Sequence, residues 1–146
     1  MPTIHTMPTG HARALVAVVH ELREETRAIA AAGLLAASFD DLLAEPGPLL
    51  RWLDEVARAC DVEGGGSIVL PVPRDGTLQQ VAYGLAALLV WAATLCADGR
   101  LLTVLPNEAL AAFAVLEDAA GLPRRTMRAI ERITTADTDP LPALVA

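Results

Sequence analysis

The chain is predicted to be all-α, a bundle of about six helices around one buried, uncharged helix over residues 77–98. Three observations predict this. The stretch from Gly76 to Ala97, GTLQQVAYGLAALLVWAATLCA, carries no formal charge, and Asp75 and Asp98 close it off. The flanking segments place apolar residues at helical spacing, with charged residues opposite. Only residues 67–72 and 101–105 read as extended, so at most one short two-stranded β pair is expected.

Composition narrows the class. A chain of 146 residues sets one domain as the default. Hydrophobic residues make up 53% of it but aromatics only 3%, so the core must be built from Ala, Leu, Val and Ile. Such residues bury less area each than aromatic ones. The surplus apolar surface predicts self-association. Net charge is -7 and the pI is near 4.8, which opposes a broad nucleic-acid or anionic-membrane surface. All 11 basic residues are Arg, as in a GC-rich bacterial coding background. Residues 1–10 lack a basic n-region and an apolar h-region, so no signal peptide is read and the cytoplasm is expected.

The elements follow in order. Residues 1–8 hold two prolines and read as a loose arm. Thr9 caps a helix to about Ala32, stopped by Gly33, with Leu15, Val18, Val19, Leu22, Thr26 and Ile29 on its apolar stripe. Ser38-Phe39-Asp40-Asp41 starts a short helix that Pro46 ends. Pro48 opens the next, whose buried stripe is Leu49, Trp52, Leu53, Val56 and Cys60. Gly64-Gly65-Gly66 ends it; the glycines could cradle a phosphate, but no Gly-Lys-Ser/Thr follows, and a helix terminator is the better reading. Residues 67–73 are extended, and Pro71 bars them from a central strand.

Thr77 with Gln80 is a capping box for the uncharged helix, and Gly99 is its stop. Its apolar stripe includes Val81, Leu85, Leu88 and Leu89. These four, with Trp91, are the expected interaction core. Gln80, Tyr83, Ala87, Trp91 and Thr94 lie on the weakly polar side. The stretch is long enough for a membrane span of ~20 residues. Its Ala, Gly, Thr and Gln content and the symmetric Arg74 and Arg100 favour a buried helix and no membrane partner. Pro106-Asn107 caps a helix from Glu108 to about Ala120, broken by Gly121. Pro123 opens the last helix, to roughly Thr135, and residues 136–146 form a tail. The single domain is thus 9–135. Cys60 and Cys96 both fall on apolar stripes and read as buried free thiols.

Residues 116–131, LEDAAGLPRRTMRAIE, carry one local motif. It resembles the helix-turn-helix of lambda-repressor/Cro-type DNA-binding domains, in which a Leu and an Ala-Gly-Leu turn precede a recognition helix ending in Ile-Glu. The resemblance covers about 11% of the chain and implies a DNA-binding subunit over 107–135. It implies that Arg124, Arg125, Thr126 and Arg128 face the major groove, and that Leu116, Leu122, Met127 and Ile130 join the two helices. Two positions depart from the family. Glu117 stands where a small Ala packs, and Pro123 replaces a Ser or Thr cap.

His20-Glu21-Leu22-Arg23-Glu24-Glu25 offers carboxylates on a helix, and Glu21, Glu24 and Glu25 are the candidate metal ligands. A zinc-protease helix would need a second His at Glu24, and a charge-balanced solvated face accounts for the pattern better. No nucleophile, base and orienter assemble from the sequence. The expectation is therefore a non-enzymatic helical interaction or regulatory module, self-associating and without cofactor. The alternatives are a DNA-binding regulator and a metal-dependent hydrolase using the acidic helix 9–32.

Overall fold

The structure is a computed structural model that describes residues 5–39, 48–63, 65–74 and 76–138, the side chains of 63 and 134–138 excepted. Its elements are β1 (Thr6–Pro8), α1 (Thr9–Ala31), α2 (Pro48–Glu63), β2 (Ser67–Val69), α3 (Leu78–Ala97), α4 (Asn107–Ala119) and α5 (Arg125–Thr138). The chain is mostly helical, as the periodicity predicts. Five helices stand among the described residues rather than about six. The short helix expected after Ser38 falls mainly on residues 40–47, outside the described residues, as does the tail beyond Thr138.

Local signals place the helix ends. Gln80 N–H donates to Thr77 Oγ1 at 3.1 Å and Thr77 N–H to Gln80 Oε1 at 2.9 Å, so the capping box forms as read. At the other end of α3, Gly99 takes φ 72°, which lets Arg100 N–H reach back to Leu95 O at 2.9 Å. Gly121, at φ 70°, does the same for α4, with Leu122 N–H on Glu117 O at 3.0 Å. Thr9 does not cap α1. Pro8 holds the N-cap position, and Thr9 N–H donates instead to Gly66 O at 2.8 Å. The helix start is thereby tied to the far side of the chain.

Helix contacts close a ring. α1 packs along α2 and α4, and α3 packs on the same two helices from the other side. α5 packs along α3. Leu15, Leu22, Trp52, Val56, Leu85, Leu88, Phe113 and Leu116 fill the interior, each 0–1% exposed. Burying a side chain of this size contributes about 1.5–3 kcal/mol. Trp52 satisfies its indole by donating Nε1–H to Pro71 O at 2.8 Å. Thr26, on the apolar stripe of α1, donates to Leu22 O at 2.7 Å and accepts Phe39 N–H at 3.1 Å. That bond holds the chain after α1 against the bundle.

Three expectations are corrected. The β pair is not 67–72 with 101–105; β2 pairs antiparallel with β1, in the register Thr6↔Val69, Met7↔Ile68 and Pro8↔Ser67. Met7 is fully buried, which draws residues 6–8 out of the expected loose arm and into the fold. The uncharged helix, expected to be buried on most of its sides, has 44% of its span buried inside the fold. It is one wall of the ring, with Val81, Leu85, Leu88 and Leu89 inward and Gln80, Tyr83, Ala87 and Thr94 exposed. Those neutral side chains tolerate water, so the absence of charge did not require full burial. Among the described residues α3 is the one helix long and apolar enough to cross a membrane, with mean hydropathy 1.7, and 44% of that window is buried inside the fold.

Candidate functional site

The candidate residues scatter. Val81, Leu85, Leu88 and Leu89 are each 0% exposed and belong to the chain's own core. Of the expected interaction core only Trp91 is partly exposed.

The acidic residues of α1 point to separate partners. Glu24 lies in solvent beside His20, at 3.9 Å, and Glu21 is exposed. Glu25 turns to the connection between α3 and α4. Its carboxylate accepts Leu102 N–H at 2.6 Å, Thr103 N–H at 2.9 Å and the Thr103 hydroxyl. Burial alone would raise the Glu25 carboxyl, but these bonds outweigh it and hold it below its ordinary value. On α2, Glu55 pairs with Arg74 at 2.7 Å. Among the described residues no three His, Cys, Asp or Glu side chains come together to hold a metal ion.

The basic residues near the last helix are also divided. Arg124, ahead of α5, grips Asp118 through Nη2 at 2.6 Å and Nε at 3.2 Å. Its hydrogen bonds hold the Asp118 carboxyl below the usual range. Arg125 and Arg128 are exposed. Thr126 faces inward, to Glu117, and its side chain and backbone both hydrogen-bond that carboxylate. Glu117 is 1% exposed, and its Oε1 has no hydrogen-bond partner among the described residues. Burial pushes its carboxyl up against the pull of Thr126. The two departures from the helix-turn-helix pattern thus explain each other. Pro123 offers no capping side chain, and Glu117 reaches across to bond at the start of α5. Leu116 and Ile130 are fully buried, and Leu122 and Met127 are partly so.

The surface left over is apolar rather than charged. Val62, Val72, Leu102 and Val104 are 77–92% exposed, and Leu34, Val69 and Tyr83 are 59–66% exposed. Two regions gather most of them. One surrounds β2 and its continuation. Val62 on α2 and Val69 and Val72 on the strand segment border two open grooves there. The larger, ≈ 670 Å³, runs from His5 and Val69 past Pro71 to Leu78. The smaller, ≈ 320 Å³, lies between α2 and β2 and is lined by Arg58, Ala59, Val62, Ile68 and Val69. The other region is the connection that Glu25 fastens, where Leu102 and Val104 project beside a groove of ≈ 340 Å³.

Sequence reading missed the first region because strand β1 was not foreseen. The signal available was Met7, an apolar residue isolated between Thr6 and Pro8. Comparison with protein-family models, curated proteins and solved structures finds no match to this chain.

Proposed function

We propose that the chain is a non-enzymatic interaction module that associates with itself through uncharged, apolar surface. The observation that carries this reading is the exposure of Val62, Val69, Val72, Leu102 and Val104 in a chain whose interior is already filled by its own helices. Aliphatic side chains left in water on neighbouring elements mark contact surfaces. The charge distribution favours a second copy reached over neutral surface. A net charge of -7 makes charged faces repel between copies. Size-exclusion chromatography with light scattering tests the reading. The expected result is a mass above that of one chain, rising with concentration. A single-chain mass at every concentration contradicts it.

A further inference from the structure

We infer that β2 is the strand through which two copies join, edge to edge and antiparallel, about a two-fold axis at Ile68. This rests on the self-association proposed above and names the surface that performs it.

The register of the small sheet decides which main-chain groups are free. Leu70 N–H donates to His5 O at 2.9 Å and Thr9 N–H to Gly66 O at 2.8 Å. An antiparallel ladder alternates bonded and non-bonded pairs. Gly66, Ile68 and Leu70 therefore turn their main-chain groups toward β1, while Ser67 and Val69 turn theirs away. Pro8, which has no N–H, occupies a non-bonded position, as a strand proline must. Among the described residues, no backbone or side-chain group hydrogen-bonds the N–H or C=O of Ser67 and Val69. Such a row is a template for another strand. Proteins usually blunt it with Lys, Pro or a covering element. Here Pro71, whose C=O is taken by Trp52 of α2, ends the edge beyond Val69, but Ser67 and Val69 themselves are uncharged and the groove beside them, between α2 and β2, is open.

Symmetry and charge select the occupant. The two outward residues are two apart, so the edge complements itself. Setting Ile68 against Ile68 of the second copy places each Ser67 opposite the other copy's Val69, and each such pair exchanges both of its hydrogen bonds. Residues 64–73 carry no formal charge, so the paired strands themselves set no carboxylate against another, and the one charged side chain lining the groove beside them is Arg58. Val62 and Val69, 84% and 59% exposed, supply apolar contact alongside the bonds. The joined sheet has four strands, β1-β2-β2-β1. That is a more stable arrangement than a lone pair.

The test follows the full chain by sedimentation and by amide hydrogen exchange at Ser67 and Val69. The expected particle has twice the chain mass, and both amides exchange at least ~100-fold more slowly at high than at low protein concentration. Val69→Pro removes an N–H that the β1–β2 pair does not use, so it should give a monomer with unchanged circular dichroism. A dimer whose Ser67 and Val69 amides exchange freely overturns the edge joint while self-association stands. So does a dimer that a folded Val69→Pro variant still forms. If that variant does not fold, exchange in the wild type decides alone. A wild type that stays monomeric overturns both readings and leaves the edge to a strand from a different protein.

Discussion

Glu25 and Thr103 lie 78 residues apart and are joined twice, through the main-chain N–H at 2.9 Å and through the hydroxyl of Thr103. With Leu102 N–H on its other oxygen, the Glu25 carboxylate fastens the α3–α4 connection onto α1. The same connection carries the exposed Leu102 and Val104. A side chain that reads as a metal ligand in sequence is thus a clasp that shapes apolar surface.

Glu25→Ala should lower stability by about 1–3 kcal/mol, the range for losing hydrogen bonds to a charged group. The pH dependence has a definite sign. The folded Glu25 carboxyl is lowered, so its contribution is present above the ordinary carboxylate value and is lost as pH falls through the folded one. Glu25→Gln should flatten the acid side of the stability profile. Urea melts at a series of acidic pH values measure this. An unchanged profile would remove the clasp.

Glu117 predicts the opposite sign. Its folded carboxyl is raised, so its contribution is fullest below the ordinary carboxylate value and is lost as pH rises through the folded one. Glu117→Gln keeps an acceptor for Thr126 and removes the buried charge. It should raise the melting temperature more at pH 8 than at pH 4. Glu117→Ala leaves the start of α5 uncapped and should cost about 1–2 kcal/mol. Equal effects of the Gln change at both pH values would contradict the assignment.

The two sides of α3 should respond differently to substitution. Leu85 is 0% exposed and Leu85→Ala should cost about 2–5 kcal/mol. Ala87 is exposed, and Ala87→Ser should change stability by less than about 0.5 kcal/mol. Chemical denaturation of both variants separates a wall helix from an enclosed one. A large loss at Ala87 would mean that the outer side is covered.

What was legible in the sequence is what short-range chemistry determines. Thr77 and Gln80 are three residues apart and cap one helix, so their pattern is local and complete. The stops at Gly33, Gly99 and Gly121 are local too. The apolar stripe of α2 reads correctly because burial on one face leaves a periodic trace. The rest depends on residues distant in sequence. Met7 pairs with Ile68, and Glu25 finds Thr103; neither partner leaves a mark near the other. The extent to which the uncharged stretch is covered is not legible for a different reason. Lack of charge permits burial but does not demand it, and Tyr83, Ala87 and Thr94 sit in water. Glu117 reads as a misfit in a DNA-binding motif because the motif sets Thr126 outward, whereas the fold turns it to Glu117.

Sedimentation equilibrium of the full chain at low and high salt tests the central claim most directly. Salt screens repulsion between two copies of net charge -7 while leaving apolar contact and main-chain pairing in place. The account predicts a dimer that tightens as salt rises. A monomer under all conditions, or an assembly that salt dissolves, would contradict it.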